Sequence, residues 1–96
     1  MIQIDEFKES SIKEIANHYG LEKQLDQTVE ECSELIQAIS KAKRGKLDAD
    51  NMAEEIADVL IGIEWLKELY DIDALEVQKW IAYKQNRIAK KLENRG

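Results

Sequence analysis

Residues 29–41 read VEECSELIQAISK. With Leu25 just upstream, apolar side chains recur at Leu25, Val29, Cys32, Ile36 and Ile39, every third or fourth position. That is the spacing of one helix face rather than the alternation of a strand. The same stretch crowds Glu30, Glu31 and Glu34 into five residues. A second stretch, NMAEEIADVLIGIEWL at residues 51–66, repeats the design: Met52, Ile56, Val59, Ile63 and Leu66 share a face, and Glu54, Glu55 and Asp58 lie beside it. Two long amphipathic segments, each carrying a knot of carboxylates, predict an all-α fold and ask what the acids are for.

Working outward, four helical segments are predicted, with no strand pattern of comparable length. The first runs from about Ile4 to Tyr19 and ends at Gly20. The second runs from Leu21 or Glu22 to Arg44, where KAKRG supplies basic residues in the last turn and a terminating glycine. Asp48 or Asp50 can cap the third, which reaches about Tyr70. The fourth begins at DIDALEV, where Asp73 and Glu76 fit a capping box and Ile72 with Val77 a hydrophobic staple, and ends near Leu92. The expected architecture is a four-helix assembly with the second and third helices as a central antiparallel hairpin. It forms one domain over residues 1–96, without repeats or linkers.

Composition narrows the class. A chain of 96 residues buries a modest core, and chains of this size often gain stability by association. Hydrophobic residues at 44%, charged residues at 35% and no proline fit a folded helical protein rather than a disordered one. A net charge of −6 lacks the basic footprint of a nucleic-acid binder, and a polyphosphate would need a cation to approach so acidic a surface. The one cysteine, Cys32, allows no internal disulfide and is expected as a small core residue. No signal peptide, lipidation motif or membrane-spanning run is visible, so a cytoplasmic protein is expected.

Residues three apart on a helix project together, so Glu31 pairs with Glu34 and Glu55 with Asp58. If the two helices form a hairpin, the pairs can face each other, and four carboxylates in one place repel unless a cation sits among them. Oxygen-only ligands select Mg²⁺ or Mn²⁺ over zinc. The lone histidine, His18, lies elsewhere, and no Glu-x-x-His pair supports a di-iron bundle. On spacing alone, a solvated acidic helix face remains open beside the metal site.

The motif EECSE (Glu30, Glu31, Glu34), then twenty residues, then EIAD (Glu55 to Asp58), resembles the signature of the MazG-like all-α nucleotide pyrophosphohydrolases. The flanking ADVLIGIEWLKELYDI is similar to the third helix of small phage and Gram-positive members, and the likeness runs from about Leu21 to the YKQNR near the C-terminus. The resemblance implies hydrolysis of a nucleoside triphosphate to a nucleoside monophosphate and pyrophosphate. It implies Mg²⁺ on Glu31, Glu34, Glu55 and Asp58, with Glu30 in a supporting place. It also implies phosphate contacts from a Lys-x-x-Arg on the fourth helix, here Lys84 and Arg87, and assembly as a homodimer or homotetramer whose sites share residues between subunits. Near relatives stay open. A dUTP- or dCTP-preferring enzyme fits, whereas VLIGIE after Asp58 departs from the aromatic and histidine of phosphoribosyl-ATP pyrophosphatases. A catalytically silent helical dimerisation module is the alternative from another class.

Helical geometry adds further candidates. Gln27 lies one turn before Glu31 and Asn51 one turn before Glu55, and either could steady a carboxylate or touch substrate. Ala38 and Gly62 lie one turn beyond the acids, where small residues leave room for a nucleotide; for Gly62, close helix packing is the favoured reading. Trp65 continues that stripe, to stack on a base or to fill a core or interface. Lys41 continues the stripe from Gln27 to Ala38 as another phosphate contact.

Overall fold

The computed structural model describes residues 14, 18 and 20–94. Three α-helices order them: α1 (Leu21–Lys43), α2 (Ala49–Leu69) and α3 (Ala74–Glu93), matching the second, third and fourth predicted segments. The described residues contain no strand. The predicted first helix lies outside them except for Glu14 and His18, both helical and exposed. No described helix is long and apolar enough to cross a membrane.

The ends of α1 and α2 follow their local chemistry. Gly45 takes φ 75° just past α1, and the amides of Gly45 and Lys46 close back on the carbonyls of Ala42 and Lys41 at 3.0 and 2.9 Å. This satisfies carbonyls that the helix leaves open, in a left-handed conformation that suits glycine. Of the two candidate caps for α2, Asp48 is the one used: its Oδ1 accepts from the Asn51 amide at 3.0 Å. Past Leu69 the chain repeats the α1 ending, with Asp71 at φ 52° and the Ile72 amide bonded to Lys67 at 2.8 Å. Asp73 then caps α3 through the Leu75 amide at 2.9 Å.

α1 and α2 pack as the expected hairpin. Thr28 meets Gly62, the Glu31 carboxylate lies beside Asp58, and Glu34 lies beside Glu55. Partners that descend on one helix as they ascend on the other define an antiparallel pair. Gly62 explains the close approach: a Cβ there would stand 3.0 Å from Thr28 Cγ2. The packing reading of this glycine therefore fits the structure.

The face that packs is not the face the apolar periodicity marks. On α1 the residues turned inward are Gln24, Thr28, Glu31, Glu34 and Ala38, about a third of a turn round from the apolar stripe. Ala38 is the only buried apolar side chain among the described residues. Val29 and Ile36 are 65% and 66% exposed, and Ile39, Ile56 and Ile63 also face outward. Cys32 is exposed, which corrects its expected place in a core. The reason is geometric: it belongs to the apolar stripe, and no element among the described residues covers that stripe. Among the described residues only α1 and α2 pack extensively, and α3 buries none of its side chains, so these residues do not form a closed four-helix bundle.

Candidate functional site

The hairpin brings the four predicted acids to one place. One oxygen each from Glu31, Glu34, Glu55 and Asp58 lies within 4.8 Å of every other. The register makes this inevitable once the helices pack on this face, because each i, i+3 pair projects into the same seam. Glu55 is 7% exposed, and the other three are half-buried.

Among the described residues, no cation is paired with these acids. The groups acting on these acids are mostly further acids. Gln27 donates from Nε2 to Glu31 Oε1 at 2.5 Å and favours its ionised form. Burial, Asp58 and Glu34 outweigh that bond and hold the Glu31 carboxyl above its ordinary range. Glu55 is raised by burial first, then by Glu34, Asp58 and Glu54. Glu31 Oε2 and Glu55 Oε2 are buried with no hydrogen-bond partner. A buried, unpaired carboxylate oxygen is costly, and these two face the same cluster.

A hard divalent cation fits this arrangement. Oxygens on opposite sides of Mg²⁺ stand about 4 Å apart, twice a bond of ~2.1 Å, close to the spacing of the quartet. All four donors are carboxylates, which suits Mg²⁺ or Mn²⁺ rather than zinc.

The raised carboxyls carry a stability consequence. A carboxyl with a higher pKa folded than unfolded binds more protons in the native state between the two values, so the metal-free fold weakens as pH climbs above the ordinary glutamate value. Thermal melts in chelator should therefore show Tm falling as pH rises above the ordinary glutamate value, and saturating Mg²⁺ should flatten or reverse that slope. A Tm that rises with pH without metal would contradict a repelled quartet.

Beside the quartet a cleft of about 90 Å³ is lined by Gln27, Thr28, Glu31, Asp58, Gly62 and Trp65, with Ile61 on its wall. The candidates Gln27 and Trp65 are thus brought to the acids. Asn51 sits half-buried in the first turn of α2, and by register it lies opposite Ala38, on the far side of the acids from the cleft. Glu30 is exposed and stands apart from the quartet. Lys84 and Arg87 are exposed on α3, where Arg87 Cζ lies 5.9 Å from the Tyr83 ring centroid; the structure does not place them at the acids. Two cleft residues were missed. Thr28, whose Oγ1 donates to the Gln24 carbonyl at 3.1 Å, and Ile61 both line it. Thr28 was findable, since Gln24, Thr28, Glu31 and Ala38 share the helical spacing of the site stripe, but their polarity hides it from a search for apolar periodicity.

Residues 20–95 match the family described as the MazG nucleotide pyrophosphohydrolase domain. No curated protein and no solved structure gives a significant match.

Proposed function

The chain belongs to the MazG nucleotide pyrophosphohydrolase domain family, and from that premise we propose that it hydrolyses nucleoside triphosphates to nucleoside monophosphate and pyrophosphate with Mg²⁺ held by Glu31, Glu34, Glu55 and Asp58. The observation that carries the reading is the quartet with its two unpartnered buried oxygens. A solvated acidic face would turn those oxygens to water. Mn²⁺ is the expected substitute.

A bound divalent cation supplies charge neutralisation at the phosphoryl oxygens and acidifies water. The protein's own share is positioning. Gln27 holds Glu31 through its amide. Carboxylates packed against one another on two helices keep their geometry without rearrangement. A glutamate of the quartet takes the proton of the attacking water. The water oxygen bonds to the α-phosphorus, the bond from that phosphorus to the α–β bridging oxygen breaks, and the electron pair leaves with pyrophosphate. No covalent enzyme intermediate is needed.

The cleft of about 90 Å³ is well short of the roughly 300 Å³ at which ligand pockets begin, so one hairpin does not enclose a nucleotide. A homodimer or homotetramer would complete the site and cover the outward apolar stripes. Asn51 and Trp65 then bound the substrate groove, and Lys84 and Arg87, as point charge and forked donor, hold the outgoing phosphates. The whole described chain acts as one domain in this reading, in a cytoplasmic setting with no nucleic-acid or membrane partner.

The test is pyrophosphate release from a panel of ribo- and deoxyribonucleoside triphosphates with Mg²⁺ or Mn²⁺. Metal-dependent release supports the reading, and preference for dUTP or dCTP would identify the narrower enzyme. No release from any nucleotide by folded, metal-loaded protein would make the chain a silent dimerisation module.

A further inference from the structure

Thr28 and Gly62 form the layer of the hairpin next to the acids, one turn before Glu31 on α1 and one turn past Asp58 on α2. Thr28 is 8% exposed, and its Oγ1 donates to the Gln24 carbonyl at 3.1 Å. That bond fixes the side chain, because a β-branched residue in a helix has few rotamers and turning away would strand a buried hydroxyl. With the hydroxyl held, the methyl group faces α2. A Cβ on Gly62 would stand 3.0 Å from Thr28 Cγ2 and 3.4 Å from its Oγ1. Carbons in contact rest about 3.5–4.0 Å apart, so a side chain at position 62 would press the helices wider by about 0.5–1 Å at this layer. Glycine is a poorer helix former than alanine, and what it gives α2 in return is a narrow seam.

The acids lie between this layer and the hairpin turn. α1 ends at Lys43, so at about 1.5 Å per residue Glu34, Glu31 and Thr28 stand roughly 14, 18 and 23 Å from its end. A wedge at Gly62 that pivots on the turn therefore opens the acid layers by about 0.3–0.8 Å. Cations differ in size on the same scale. Oxygens on opposite sides of Mg²⁺ stand about 4.0–4.2 Å apart, those across Ca²⁺ about 4.6–5.2 Å, and Mg²⁺ tolerates little departure from its octahedral shell. The quartet oxygens lie within 4.8 Å of one another, so a shift of this size changes which ion fits. We infer that the Thr28–Gly62 contact is the spacer that sets the width of the quartet, and with it a preference for Mg²⁺ or Mn²⁺ over Ca²⁺. Both are positioning residues, acting through the carboxylates. This rests on the reading of the quartet as a cation site, and it adds the feature of the fold that selects the size of the ion.

The experiment follows bound Mn²⁺ by electron paramagnetic resonance and displaces it with Mg²⁺ or with Ca²⁺, which gives the ratio of the two affinities without any substrate. Gly62→Ala should move that ratio toward Ca²⁺ by about tenfold or more. Thr28→Ser keeps the hydroxyl and removes Cγ2, so alone it should move the ratio toward Mg²⁺ by about threefold, and combined with Gly62→Ala it should restore most of the original preference. A general loss of packing would lower both affinities together, and a second substitution in the same layer would not repair it. Circular dichroism checks that each variant keeps its helices; should Gly62→Ala lose them, Thr28→Ser decides, and an unmoved ratio there overturns the spacer. A folded Gly62→Ala with a ratio within about twofold of the unsubstituted protein, or a double variant without restoration, overturns the spacer while the cation site stands. No Mn²⁺ bound by the unsubstituted protein would overturn the cation reading itself.

Discussion

Glu55→Gln is expected to cut metal-dependent pyrophosphate release by at least ~10²-fold and, in the same protein, to raise the Tm of the metal-free form. The two effects come from one cause. Glu55 is the most buried acid of the quartet, and its Oε2 has no partner. It is held above its ordinary carboxylate range by burial and by the charges of Glu34, Asp58 and Glu54. Amide for carboxylate keeps shape and removes the charge that the folded state must hold apart from its neighbours. The gain should be largest at neutral pH, where the native carboxylate costs most, and should shrink on acidification, as raised-pKa linkage requires. Activity falls because a neutral oxygen is a weaker ligand for a hard dication. Steady-state assays in Mg²⁺ beside thermal melts in chelator read both signs. A variant that loses activity and also loses stability without metal would mean that the quartet is held by something other than a cation.

If a second copy covers the outward stripe, as proposed, Ile36→Asp should take the protein to single-chain mass in light scattering and abolish turnover with it. Ile36 is 66% exposed in the single chain and shares its stripe with Val29 and Ile39. Covering such side chains contributes about 1.5–3 kcal/mol each, whereas an unpaired carboxylate set against them is costly. In a two-fold symmetric dimer the substitution is met twice. Helicity should fall too, since Ala38 is the only buried apolar side chain among the described residues. Gln37→Asp, one residue on and exposed, adds the same charge off the stripe and should leave mass and turnover nearly unchanged. Equal mass for Ile36→Asp and the unsubstituted protein would contradict a subunit contact on this stripe.

The three described helices were legible in the sequence because their end signals are local: Gly45 past α1, Asp48 before α2 and Asp73 before α3 each satisfy backbone groups within a few residues. The quartet was legible because i, i+3 spacing fixes projection, so Glu31 with Glu34 and Glu55 with Asp58 converge once two helices pack. What periodicity does not carry is the identity of the covering element. Val29, Cys32, Ile36 and Ile39 mark an apolar surface, and the sequence reads the same whether a neighbouring helix, a second copy or solvent meets it. Cys32 was misplaced for that reason. The placement of Lys84 and Arg87 depends on how α3 packs, which no local pattern fixes. Thr28 was missed because a site stripe built of glutamine, threonine and glutamate has no hydrophobic signal.

Glu31, Glu34, Glu55 and Asp58 are proposed to hold a divalent cation together. The most direct test is Mn²⁺ titration followed by electron paramagnetic resonance, in which the free-ion signal reports binding without any substrate. Stoichiometric loss of that signal is expected with the unsubstituted protein, and affinity lowered at least ~10-fold in both Glu34→Gln and Asp58→Asn. Equal Mn²⁺ affinity in the unsubstituted protein and in both variants would contradict the proposed site.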